Sequence, residues 1–160
     1  MAGTINPQDS AEAVITALTA GMATQLDAID TEYGDGITLP DVDKYWRGPQ
    51  VRYPGHLNMV VVPAASEPDN SPDQVQAHEI LVQVVLSEGA SSASYTTTEL
   101  LTIKLWRIVR AVQELLNKSR LSDSVDMCYM QSADATEIDP AQGNAFMQSA
   151  ELSFLIQTSD

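Results

Sequence analysis

The sequence predicts an α+β fold, an antiparallel β-sheet of about four strands with two main helices packed on one face. Three observations lead there. Two stretches repeat apolar residues at helical spacing, four others alternate or run apolar over strand lengths, and the order is helix, strand, strand, helix, strand, strand. The chain's 160 residues lie within the usual range of one domain and suffice to bury a core, so residues 1–160 are expected to form a single domain.

The first helix is expected to begin near Ser10, because Asp9 and Glu12 have the spacing of a capping box and Pro7 discourages an earlier start. Val14, Leu18, Met22, Leu26, Ile29 and Tyr33 form one stripe, and Gly34 and Gly36 end it. Ala13, Ala17, Ala20 and Ala23 line another face. They would let a second surface approach closely, or reflect only alanine's helix propensity. Residues Gly36 to Pro54 are crowded with proline and glycine and read as a loop anchored by Lys44-Tyr45-Trp46-Arg47. Tyr45, Trp46 and Arg47 are residue types enriched at binding hot spots and form a candidate docking loop; alternatively, Tyr45 and Trp46 pin the loop to its own core.

Leu57–Val62 and His78–Ser87 read as strands, the first stopping at Pro63, the second alternating through Ile80, Val82, Val84 and Leu86. Between them, Ala64–Gln76 holds Glu67, Asp69 and Asp73 and is expected to be a mobile acidic hairpin loop. Thr96 and Glu99 cap the second helix, whose stripe Leu101, Leu105, Ile108, Val109, Val112, Leu115 and Leu116 faces the core. Ile103, Trp106 and Arg110 fall together on nearly the opposite side, with Arg107 beside them. A helix lying on a sheet should be polar there, so this second stripe is a candidate subunit interface, unless the first helix covers Trp106. Lys104, Arg107, Arg110, Lys118 and Arg120 place most of the eight basic residues on or just after this helix, a natural counterpart for a neighbour's acidic loop.

Val125, Met127 and Tyr129, and later Ala150, Leu152, Phe154 and Ile156, mark two further strands with one buried face each. Their connection, Ser132–Asn144, carries Asp134, Glu137 and Asp139 and is expected to project as a long acidic arm.

Chemical motifs are missing. The acidic arm lacks the glycine and late glutamate of a calcium loop, His56 and His78 have no Cys or His at metal-ligand spacing, and no nucleophile elbow or phosphate loop occurs. No enzyme activity, cofactor or metal is expected. A net charge of −14 disfavours nonspecific nucleic-acid binding, although an acidic wall would let a passing duplex slide. Cys128 alone cannot form an intrachain disulfide, which fits a reducing cytoplasm. The Met1-Ala2-Gly3-Thr4 start lacks a signal-peptide pattern and no stretch reaches membrane-spanning length, so a soluble protein without membrane contact is expected.

Four segments together resemble the tail terminator, or tail completion, proteins of long-tailed bacteriophages. They are the Val14–Tyr33 helix, the His78–Leu86 strand, the Leu100–Leu116 helix with its Leu-Leu-Asn-Lys ending, and the closing Ala150-Glu-Leu-Ser-Phe-Leu-Ile-Gln strand. The resemblance is one of pattern and spans most of the chain. It implies a virion neck protein, assembled in the host cytoplasm, that forms a ring, usually a hexamer, capping the tail tube and joining tail to head. Its partners would be further copies of itself, the tail tube protein and a head-side neck protein, with DNA passing through the lumen without specific binding. It would assign the Trp106 stripe to a neighbouring subunit and the acidic loops to the lumen or rim. The Gly36–Pro54 segment departs from the family pattern and could serve a specific docking contact. Two alternatives stay open: another head-tail joining protein such as a stopper or adaptor, and a ligand-binding α+β module with an apolar pocket.

Overall fold

Chain entry is set by a cap. In the computed structural model, which describes residues 6–68, 76–89, 96–117, 119, 121, 125–141 and 145–158, helix α1 spans Pro7–Tyr33 and Asn6 accepts from the Gln8 N–H at 2.9 Å. The helix therefore starts before the Asp9–Glu12 box. Pro7 sits in its first turn, where a missing N–H costs no hydrogen bond, and Glu12 pairs with Arg47 instead. Gly34 ends α1 in the left-handed conformation, φ 55°, its N–H bonded to the Asp30 carbonyl at 3.0 Å. The second helix, α2, spans Thr97–Leu116; the Thr96 hydroxyl caps it by accepting from the Glu99 N–H, as its sequence predicts.

Between and after the helices lie β1 (Lys44–Trp46), β2 (Leu57–Pro68), β3 (Gln76–Glu88), β4 (Val125–Ala135), β5 (Asp139–Pro140) and β6 (Phe146–Thr158). They form a six-stranded sheet in the order β1-β2-β3-β6-β4, with β5 also paired to β6. The four long strands are antiparallel, as expected. Short β1 adds a parallel edge and makes the sheet mixed.

Register explains the core. Met59 faces Val84, and Val84 faces Ala150 in the next strand; Val61, Val82 and Leu152 form the adjacent row. All six are buried on the face that receives both helices. Val14, Leu18, Met22, Leu26 and Ile29 come down from α1, and Leu101, Leu105, Ile108 and Val112 from α2. Truncating one such leucine to alanine would cost about 2–5 kcal/mol. The helices meet closely at Gly21, where an added Cβ would lie 2.6 Å from Leu115 Cδ2. Of the alanine face, Ala13 and Ala17 pack against the core while Ala20 and Ala23 are exposed.

Two predicted loops are partly strand. β2 continues past Pro63 to Pro68, pairing with β3 back to Gln76 through a register shift between Pro63 and Ala65, so both ends of the expected mobile hairpin loop are paired strand, and residues 69–75 lie outside the described residues. Likewise β4 runs to Ala135, with Asp134 opposite Glu151, and Asp139 pairs with Met147 on β6. The predicted acidic arm is thus folded back along the sheet. The free edge of β4 is partly covered, because the Cys128 N–H reaches the Ser119 carbonyl at 3.1 Å and the Met130 N–H reaches Asn117 Oδ1 at 3.0 Å.

Candidate interaction surfaces

The outer side of α2 carries the predicted second stripe. Trp106 is 44 % exposed. Its cationic neighbours are satisfied within the chain. Arg107 forks onto the Asp35 carboxylate at 3.1 and 2.6 Å and stacks 3.7 Å from the Tyr33 ring centre, which leaves its side chain only 11 % exposed. Arg110 reaches Glu32 and Glu114, each at 2.7 Å, and Lys104 reaches Glu88 at 2.9 Å. The Arg107 hydrogen bonds pull the Asp35 carboxyl down to about 2. Of the basic stripe expected to meet a neighbour's acidic loop, Lys104, Arg107 and Arg110 are therefore neutralised by this chain's own Glu32, Asp35, Glu88 and Glu114, while Lys118 and Arg120 lie outside the described residues. Of the cluster Glu32-Tyr33-Asp35 at the end of α1, the sequence marks only Tyr33, as the last member of the apolar stripe; its ring is instead exposed under Arg107, and nothing in the local spacing points across to α2.

Ile103 lies one turn before Trp106 and is half-buried. With Thr98, Glu99, Thr102 and Ile138 it lines a shallow groove of about 390 Å³ between α2 and the residues joining β4 to β5. Thr102 and Gln148 bond across this junction at 3.3 Å, and Gln148 Nε2 donates to the Thr136 carbonyl at 3.0 Å. Those bonds hold Ile138 against the helix side. Asp134, Glu137 and Asp139 are all exposed near it, while the side chain of Glu67, and Asp69 and Asp73 altogether, lie outside the described residues.

Tyr45, Trp46 and Arg47 do not form one exposed patch. The pleat sends Tyr45 inward, where burial raises its phenol to about 12, and Trp46 outward beside Val60. Trp46 Nε1 donates to Asn58 Oδ1 at 3.0 Å, the ring meets Tyr53 edge-on at 6.2 Å, and Lys44 Nζ sits 4.0 Å over its face. Arg47 is held by Glu12, its Nη2 2.9 Å from Oε2. Asp43, which sequence reasoning missed, fastens the far end: its Oδ2 accepts from the His56 and Leu57 N–H groups at 2.7 and 2.9 Å. Gly55 makes room for this, since at φ 70° an added Cβ would fall 2.4 Å from Asp43 Oδ2. Pro54–Gly55 was the only signal of so close an approach.

These braces frame a tip. The Gln50 N–H donates to Tyr53 Oη at 3.0 Å, leaving Val51 fully exposed, at 101 %, and Arg52 exposed beside it. The tip lines one side of a cleft of about 530 Å³ that also takes in Ser87 and Met147, paired residues on the sheet face turned away from the helices.

His78 is buried and hydrogen-bonded. Its Nδ1 lies 2.8 Å from Ser10 Oγ on α1, its Nε2 has no partner, and burial lowers its pKa. His56 is exposed. Burial also drives the Cys128 thiol up to about 12, which makes it unreactive. Among the described residues no group of three or more His, Cys, Asp or Glu is placed to hold a metal ion, and no helix is long and apolar enough to cross a membrane.

The sequence matches no protein-family model and no curated protein. Among solved structures, the chain is similar to one from the "Virion of native gene transfer agent (GTA) particle", at 16 % identity, covering 92 % of this chain and 98 % of that chain, with a TM-score of 0.46. At that score the likeness carries no argument about what this chain does.

Proposed function

We propose that this chain is a structural subunit of a long-tailed phage or phage-like virion, acting by contact rather than catalysis. In this reading, copies close into a ring, most simply a hexamer, that caps the tail tube and joins it to a head-side neck protein. The observation that supports it most directly is Trp106. A large apolar ring is left 44 % exposed at the middle of α2, flanked by arginines whose charges the chain itself neutralises. Such a surface sheds little hydration on burial and offers aromatic contact area, the profile of a contact centre. The order of helices and long strands agrees with the terminator-like pattern of the sequence. The net charge of −14 suits a lumen past which DNA slides.

The test is mass by light scattering combined with negative-stain imaging, followed by incubation with purified tail tubes. The proposal predicts closed rings that occupy tube ends. A monomer at every concentration, with or without tubes, would overturn it. A ring that ignores tubes but binds portal-side proteins would reassign it to the stopper or adaptor class.

A further inference from the structure

We infer that the Val51–Arg52 tip of one subunit seats in the Ile103–Ile138 groove of the next, making a head-to-tail contact between copies of this chain. The inference rests on the ring-forming reading and names its interface.

The tip is built to be presented. Three separate attachments, Trp46 to Asn58, Asp43 to the His56 and Leu57 amides, and Gln50 to Tyr53, hold a short loop whose apolar Val51 projects entirely into solvent. A surface loop with no partner has no need of a braced valine there. Bracing removes the ordering entropy that a flexible loop would lose on binding. The groove supplies the complement, with Ile103 and Ile138 in its lining and Trp106 one turn further along the same helix.

Charge selects the pairing. Among the described cations, Lys44 lies over Trp46 and Arg47, Lys104, Arg107 and Arg110 are ion-paired; Arg52 alone has neither kind of partner. Glu99 lines the groove, Glu137 and Asp139 flank Ile138, and none of the three has an ion pair among the described residues. An unpaired cation beside an apolar knob thus matches unpaired carboxylates around an apolar groove. The tip borders the sheet face turned from the helices, whereas the groove lies along α2. Two different complementary patches on one chain generate a heterologous contact, which closes into a ring when the rotation permits.

Two blocked variants test this. Val51→Asp retains the groove and Ile103→Asp retains the tip, so each alone should be monomeric while an equimolar mixture forms a one-to-one dimer that cannot grow. Should Ile103→Asp fail to melt cooperatively, Thr98→Trp, whose bulk would occupy the groove, replaces it. Separately, Arg52→Glu and Glu99→Arg should each weaken assembly about tenfold, and the double variant should recover most of it. If wild type forms rings and either Val51→Asp or Ile103→Asp does so equally well, the interface is overturned while the ring reading stands. Two monomeric variants that fail to pair when mixed also overturn it. A monomeric wild type would remove the ring reading and this contact together.

Discussion

Two clusters on this protein use the same residue types in opposite ways. Along α2, Arg107 and Arg110 are tied to Asp35, Glu32 and Glu114 while Trp106 stands in solvent. Around β1, Trp46 is tied down through its ring nitrogen while Arg52 stands in solvent. The difference lies in what faces each ring. Trp46 finds Asn58, a buried amide in the neighbouring strand, which also donates to the Pro54 carbonyl at 2.6 Å. Trp106 projects from a helix whose packed side is already filled by Leu101, Leu105 and Ile108. Residue type alone therefore does not mark a contact surface; the absence of an intrachain partner does.

Breaking the β1 side should have the larger effect on folding. Gly55→Ala forces a Cβ against Asp43 at a positive φ and should destabilise by about 3 kcal/mol in denaturant titration; unchanged stability would mean that the Asp43 brace is dispensable. Asn58→Ala leaves the Trp46 N–H unpaired in a position where Asn58 is only 1 % exposed, and should cost about 2 kcal/mol with a red-shifted tryptophan emission.

On the α2 side the expected effect depends on pH. The Asp35 carboxyl, held at about 2 by Arg107 against an ordinary 3.8, is lowered on folding, so its stabilisation is present above 3.8 and is lost as pH falls toward 2. Arg107→Ala should lower stability at neutral pH and leave it nearly unchanged near pH 2, so that the acid limb flattens by the amount lost at neutral pH; an unaltered limb would assign the acid sensitivity elsewhere. The smallest effect is expected from converting Asp134, Glu137 and Asp139 together to their amides, within about 0.5 kcal/mol because all three are exposed. A large fall in melting temperature would show that these carboxylates are structural.

The sequence carried the core well, because period and burial coincide: Val14 to Ile29 of the first stripe, the stripe of α2, and the alternation of Ile80–Leu86 and Ala150–Ile156 face inward, and only Tyr33, at the end of the first stripe, is exposed instead. It carried the ends of strands poorly. Pro63 reads as a stop, yet it lies at a register shift and beyond Trp46↔Val60, the last pair made by β1, a place where a proline is tolerated. β1 itself is three residues long and parallel, with no alternation to detect. Of the surfaces, the exposure of Trp106 was legible from its position opposite the core stripe. The partners of Arg107 and Arg110, and the brace by Asp43, depend on contacts between distant segments, Asp35 with Arg107 and Asp43 with His56, which no local pattern encodes.

The central claim is that α2 has one face for the fold and another for neighbouring subunits. Light-scattering mass and melting temperature of wild type and Trp106→Ala, measured at matched concentrations, test it most directly. The account predicts a wild-type ring, and a variant that assembles at least about tenfold more weakly while its monomer melts within about 4 °C of the wild-type fold. A wild type that stays monomeric, or a variant that loses fold and assembly in equal measure, would contradict it.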